Sequence, residues 1–404
     1  MRNNQDNLMN IVRAALVVSA SNLGDSLLYV ALPLVHSSFG LSIVHVGILL
    51  SANRLVRFIS NTFAGYVYGK KPLKCVLVAA IIAAFFINLS YGYIEGFLPF
   101  LLMRLCWGIT WSFLRLGGYI SVVSFSDELN RGRYMGIYQS IASIGFLSGG
   151  LIGGILLDSW GYTSANLLLA FGTFLVIPIA FTLKNKQTET SEQDQVKRLD
   201  IQTLIGNSEL LRIGVGIMLT KLFLGSLISS TLSLYLLEIF GSEGVSLLGR
   251  EVGIASLTGF LLSFRIFTRF LLGPVIGGLS DKLGRHRTMF TLFLSGSFSL
   301  IMLMLSNSLH LITLAVIVSF LSDAGLGVVI ASNVSDMVGT DDSNGQYTLS
   351  AFTNWIDIGS ALGPLVIFSL ISEVSFNTIF AGASTILLLY AVSFVRQPNT
   401  NMAM

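Results

Sequence analysis

Ten ionisable side chains stand inside stretches otherwise built from apolar residues: Asp25, Arg54, Arg57, Arg104, Arg115, Lys221, Arg265, Arg269, Asp323 and Asp357. A charge at the centre of a bilayer costs at least ~2.5–3.5 kcal/mol, so such groups face the protein interior and tend to carry ions, protons or substrate. Arg54 and Arg57 are three residues apart, and Arg265 and Arg269 four, so each pair shares a helix face. Seven basic groups against three acidic ones leave an excess that suits a transported species of negative charge. Arg104, Trp107, Trp111 and Arg115 recur at helical spacing. Such a wall of cations and aromatic rings fits an anionic or aromatic ligand. Equally, Arg104 could bond the carbonyls of a broken neighbouring helix while the tryptophans pack.

The carboxylates are candidate proton carriers, because movement that parts an aspartate from an arginine can load and release a proton. A permanent ion pair is the competing expectation for each. Asp25 comes first, Asp357 follows with Asn354 on its face, and Asp323 and Arg104 complete the set. An enzyme is not expected. His36, His45, His286 and His310 belong to no nucleophile or metal cluster, and no phosphate-binding Gly-x-x-x-x-Gly-Lys-Ser/Thr loop occurs. Cys75 and Cys106 have no metal-ligand spacing and predict no disulfide. No cofactor, no metal and no nucleic-acid partner is expected.

The elements that must hold these groups follow from composition. Of 404 residues 53% are hydrophobic and 11% charged, with a mean hydropathy of +0.76. A soluble chain carries about 25% charged residues, so this one belongs in lipid. Twelve apolar runs fall near 10–35, 43–69, 75–94, 97–124, 134–157, 163–183, 211–239, 252–278, 288–306, 311–336, 346–371 and 377–395. Backbone groups in lipid must bond internally, so these runs predict helices. Polar Met1–Asn10 leads straight into the first run, without the short apolar core and cleavage site of a signal peptide. The long polar stretch 184–210 reads as a linker between six-span halves at 1–183 and 211–404. With a cytoplasmic amino terminus, 16 of the 24 Lys and Arg fall in inside segments and one, Arg250, outside. That asymmetry predicts both termini in the cytoplasm.

The halves repeat faintly. Arg57 precedes Gly65 by eight residues and Arg269 precedes Gly277 by eight. Arg104-x-x-x-Gly108 parallels Asp323-x-x-x-Gly327, and Gly145-x-x-x-Gly149 parallels Gly359-x-x-x-Gly363. Such repeats are usual in secondary transporters, with the substrate near midplane between them. The loop Gly277-x-x-x-Asp281-x-x-Gly284-Arg285-x-Arg287 resembles the loop motif of the major facilitator superfamily. Its counterpart at Gly65–Pro72 is degraded, with Gly69 in place of the aspartate. Arg104 and Gly108 resemble the family's Arg-x-x-x-Gly motif. Gly145, Gly149, Gly150, Gly153 and Gly154 resemble its antiporter motif, with Gly150 where proline is usual. Ordinary close packing of small residues would give the same spacing.

The resemblance covers the whole chain in topology and is nearest to the proton-coupled drug and metabolite exporters. It implies an all-α polytopic membrane protein with twelve transmembrane helices in two six-helix bundles. It further implies a monomer in the plasma membrane or bacterial inner membrane, among membrane lipids. Asp25 would line the cavity with Arg54, Arg57, Trp107, Trp111, Arg115, Lys221, Arg265, Arg269 and Asn354, and Asp281, Arg285 and Arg287 would latch the cytoplasmic side. The expected function is proton-coupled export of a small anionic or zwitterionic organic solute, energised by the proton gradient, by rocker-switch alternating access. A proton-coupled importer of an organic anion is the alternative. A non-transporting receptor or scaffold is the alternative of another class.

Overall fold

In the computed structural model, residues 2–127, 130–185, 208–247, 249–338 and 345–394 are described. Thirteen α-helices account for nearly all of them. They are α1 Arg2–Val35, α2 Ile43–Leu55, α3 Arg57–Lys70, α4 Leu73–Ser90, α5 Phe97–Ser124, α6 Arg131–Phe181, α7 Ser208–Leu219, α8 Ile228–Phe240, α9 Ile254–Leu283, α10 Arg285–Leu305, α11 Leu309–Val338, α12 Gly345–Ile371 and α13 Phe376–Val392. Among the described residues nine segments are long and apolar enough to cross a membrane, and Ile254–Thr268 and Phe376–Val392 are shorter apolar helices.

Local chemistry sets the breaks. Gly161 takes φ 77°, ψ 171° inside α6 and divides it in two, a conformation that only glycine adopts readily. Gly284 at φ 91° separates α9 from α10. Ser42 and His45 form a capping box at the start of α2, satisfying backbone donors that a helix start leaves orphaned. The apolar run at 43–69 is not one straight helix, since Val56 donates to the Ala52 and Arg54 carbonyls where α2 gives way to α3. Between α7 and α8, Thr220–Leu227 is π-helical. Such turns are rare and concentrate at functional sites. One feature is absent from the sequence-based expectation: Val245–Leu247 pairs antiparallel with Arg250–Val252 as a small hairpin.

The chain divides into two compact units, Met1–Lys197 with Ser230–Ser263, and Arg198–Ser229 with Phe264–Met404. Most of the linker expected at 184–210 lies outside the described residues. Lipid gives apolar side chains little reason to prefer each other, so polar bonds and close packing join the helices. In the first unit the buried Asn88 amide donates to the Ser21 carbonyl and to Thr173 Oγ1, at 3.1 and 3.3 Å. Asn166 donates to the Asn88 carbonyl at 2.8 Å, and Thr173 to that of Ala20 at 2.9 Å. These bonds tie α1, α4 and α6. In the second unit Ser297 donates to the Ser384 carbonyl at 2.8 Å and Ser226 to that of Ser360 at 3.2 Å. The Tyr390 hydroxyl donates to the Arg212 carbonyl.

Candidate functional site

In the first unit, α5 presents Arg104, Gly108, Trp111 and Arg115 as one stripe along α2 and α3. Arg104 is fully buried, pairs through Nη1 with the Asp25 carboxylate of α1, and donates from Nε to the Leu49 carbonyl at 2.9 Å. The Leu49 bond is the carbonyl contact expected of a structural arginine, and the Asp25 contact is the ion pair expected as the alternative for that carboxylate. One turn on, Gly108 faces Asn53, and a Cβ there would collide with the Asn53 carbonyl and Val56. The next turn sets the Arg57 guanidinium 5.8 Å from the Trp111 ring centroid. Beyond it, Ser60 and Ser112 share a 2.7 Å hydrogen bond. Trp107 is fully buried and stacks on Trp111, with centroids 6.1 Å apart. The Arg54 guanidinium lies 5.6 Å from the Tyr29 ring centroid. The ionic groups that act on Arg57 are Arg54, Arg115 and Asp25. Arg54, Arg57, Trp111 and Arg115 are all half-buried.

The second unit has its own charged centre. Lys221, in the π-helical turn, donates to Asp323 Oδ1 at 2.5 Å, and Arg265 reaches Oδ2 at 3.4 Å. Asp323 is 1% exposed. Two glycines make room for the cations. A Cβ at Gly225 would stand 2.9 Å from Arg265 Nη2, and one at Gly327 3.5 Å from Lys221 Nζ. The parallel drawn between Arg104-x-x-x-Gly108 and Asp323-x-x-x-Gly327 thus takes physical form as one carboxylate held by cations in each unit. Asp357 and Asn354 are half-buried on α12, and Asp357 makes no ion pair among the described residues. The side chain of Arg269 lies outside the described residues.

Around the loop at Gly284, Arg285 is the hub. Its Nη1 pairs with Asp281 at 2.7 Å and donates to Ser280 Oγ at 2.7 Å, while its Nε reaches Asp336 of α11 at 3.1 Å. Gly277 lies against Val328. Arg287, the other arginine of the expected latch, is exposed and has no ion pair among the described residues. Arg285 takes both nearby acids, so Arg287 keeps its hydration.

The glycine series on α6 has a steric explanation. A Cβ at Gly145 would strike the Ser19 carbonyl, one at Gly149 the Leu23 carbonyl and Ser26 Oγ, and one at Gly153 the Leu27 side chain. These three seat α6 on α1. Gly154 turns instead to the Ala255 carbonyl of α9, and Gly259 of α9 sits on the Gly150 carbonyl. A Cβ at Gly150 itself would meet nothing within 4 Å. Close packing therefore accounts for the missing side chain at Gly145, Gly149, Gly153 and Gly154 but not at Gly150, whose carbonyl makes the contact.

Just past this series, Asp158 accepts hydrogen bonds from Ala255 N at 3.3 Å, Ser256 N at 2.7 Å and Ser256 Oγ at 2.5 Å. It caps the start of α9, where Val252-Gly253-Ile254 offers no capping side chain of its own. Losing a cap costs about 0.5–2 kcal/mol. Asp158→Ala is therefore expected to speed amide exchange across 254–259, by up to about tenfold for each 1.4 kcal/mol. Ser256→Ala should give part of that effect. Mass-spectrometric hydrogen exchange on the full chain in nanodiscs reads it, and unchanged exchange in Asp158→Ala would show that the cap is dispensable.

The family description "Major Facilitator Superfamily" matches residues 14–270 and 245–403. The chain belongs to the major facilitator superfamily. It is similar to the multidrug resistance protein MdtG of Escherichia coli, at 24% identity over 361 residues, which is 86% of this chain and 82% of that protein. Among solved structures it resembles the nucleoside transporter NupG, with a TM-score of 0.77 and 14% identity over 96% of this chain and 99% of that one. It also resembles a bacterial homologue of the human lysosomal transporter Spinster in an inward-facing, occupied conformation, with a TM-score of 0.69 and 14% identity over 95% of each chain.

Membership makes this an all-α, multi-pass transporter of small molecules in the plasma membrane or bacterial inner membrane, acting as a monomer and without a cofactor, and not an enzyme. Four residues of its charged and capped centres escaped the sequence: Asn53, Tyr29, Asp158 and Asp336. Asn53 and Tyr29 carry no charge, Asp158 and Asp336 stand at the ends of apolar runs, and the contacts of all four are distant in sequence, so spacing alone gave no signal for them.

Proposed function

We propose that this major facilitator protein exports a small anionic or zwitterionic organic solute in exchange for protons, by alternating access of twelve membrane spans with both termini in the cytoplasm. The observation that carries the anionic part is the environment of Arg57. Arg57 lies over Trp111, the positive charges of Arg54 and Arg115 act on it, and the carboxylate acting on it is Asp25, which Arg104 already holds. A solute bringing negative charge would balance that excess. Asp25 and Asp323 are the proton carriers in this reading, because each is buried against cations from which a helix movement could part it. Asp357 is a further candidate proton carrier, and Lys221, Arg265, Arg269 and Asn354 are the candidate solute-binding residues of the second unit. Export is supported by the glycine series and by the likeness to MdtG, a multidrug resistance protein.

The surroundings of Asp25 favour one alternative. An anion beside Arg57 and a proton on Asp25 would assist each other's binding, and by linkage that assistance is reciprocal. Loading both together is symport, which would make the chain an importer. Transport of radiolabelled organic anions into everted and right-side-out vesicles separates the two. Accumulation driven by an imposed proton gradient in everted vesicles supports export. Uptake confined to right-side-out vesicles overturns export and supports symport.

A further inference from the structure

We infer that α2, α3 and α5 build a subsite that reads two features of one ligand, an anionic oxygen group and a neutral hydrogen-bonding group beside it, with Arg57 taking the first and Asn53 the second. The inference rests on the anionic-solute reading above and narrows it to acids that carry a hydroxyl or amide next to the acid group.

Asn53 carries the argument. It is fully buried, and neither its Nδ2 nor its Oδ1 has a hydrogen-bond partner among the described residues. An amide left in that state forfeits hydration on both its donor and its acceptor. The position is structurally fixed, because Gly108 lets the Asn53 backbone lie directly against α5. Leucine fills comparable volume without that penalty, so packing alone gives no reason for an amide here. One turn along the same face, Arg57 places its guanidinium over Trp111, and its Nε is likewise buried without a partner. The Trp107 ring nitrogen, buried behind Trp111, is a third such group. Unsatisfied polar atoms are few in native proteins and each calls for a cause. Here three fall on adjoining turns of one seam, beside the Trp111 ring.

The division of labour follows from donor chemistry. Guanidinium groups donate in a planar fork suited to carboxylate or phosphoryl oxygens. An asparagine amide offers one acceptor and two donors, so it matches a neutral hydroxyl or amide that must both give and take a proton. Trp111, stacked on Trp107, supplies a flat apolar surface for the ligand's body.

The test uses the purified full chain in nanodiscs, four probes with a common phenyl body, and tryptophan fluorescence, since Trp107 and Trp111 are two of four tryptophans. Phenylacetate carries the acid alone, mandelate the acid with an adjacent hydroxyl, phenyl phosphate a phosphoryl group, and phenethylamine a cation. Expected is tighter binding of mandelate than of phenylacetate, with phenethylamine weakest. Arg57→Gln should weaken all three anions by about tenfold, the scale of a hydrogen bond to a charged group, whereas Arg57→Lys should keep part of the affinity. Asn53→Leu should bring the ratio of mandelate to phenylacetate affinity to about one, and Asn53→Ser should restore part of the preference. The relative affinity of phenyl phosphate tells which oxyanion the fork prefers. Equal binding of phenethylamine, binding of none of the probes, or a mandelate preference that survives Asn53→Leu in folded protein would overturn the subsite. Vesicle transport keeps the two ideas apart. Anions that bind with this pattern but are not moved leave the subsite standing and the transport reading lost. Anions moved equally well by Asn53→Leu and Arg57→Gln do the reverse.

Discussion

Arg104→Ala is expected to be among the most damaging single changes in this protein. The guanidinium is completely buried, and its partner Asp25 has a side chain only 7% exposed. Removing one member of a buried pair strands the other charge, at about 3–5 kcal/mol, against a total stability of about 5–15 kcal/mol for a typical domain. The same substitution loses the bond to the Leu49 carbonyl, and with it a direct tie between α5 and α2. Folded yield and thermal midpoint in detergent should both fall sharply. Adding Asp25→Asn to Arg104→Ala should recover much of the loss, because the stranded carboxylate becomes a neutral amide. Asp25→Asn alone should fold, keep an acceptor for Arg104, and, under the proposed proton coupling, lose the dependence of transport on a proton gradient. Equal stability of the single and double variants would show that the pair is not energetically coupled. Proton-driven transport by Asp25→Asn would remove Asp25 from the coupling mechanism.

The second large effect separates two glycines of one motif. Gly145→Ala places a methyl group into the Ser19 backbone carbonyl, which cannot swing aside as a side chain can. Either α6 lifts away from α1 or the seam fails, and overpacking of this kind costs about 1–3 kcal/mol or more. Gly150→Ala meets nothing within 4 Å. It gains the ~1 kcal/mol that a helix interior gives alanine over glycine. Thermal unfolding of the two variants should therefore move in opposite directions. Equal destabilisation would mean that the glycines act through backbone freedom rather than through the approach of α1.

Much of this was legible in the chain itself. Composition alone required lipid, and lipid required helices. The residues Gly277 to Arg287 and the Arg104 and Gly108 motif carried the family, which the match over residues 14–270 and 245–403 establishes. Deep charges such as Asp25, Arg104, Lys221 and Asp323 declared themselves by standing in apolar runs. Asn53 did not, because an asparagine in a membrane helix is unremarkable until its burial and its lack of partners are known. Asp336 was hidden for a related reason: 51 residues separate it from Arg285, and only the packing of α11 beside α9 and α10 closes that distance.

The sequence by itself determined that the chain crosses a membrane as helices, that charges lie within it, and which family it resembles, since each of these follows from residue type and short-range spacing. Tertiary structure alone decided which charges pair. Asp25 could have met any of several arginines, and it meets Arg104 because α1 and α5 pack where both point inward. It likewise decided that Arg285 rather than Arg287 pairs with Asp281 and Asp336, that Gly150 is spare while Gly145 is not, and that Asp158 closes the start of a helix almost a hundred residues away. The physical reason is common to all four. A contact between distant segments depends on the rotation and approach of two helices, and spacing along either helix fixes neither.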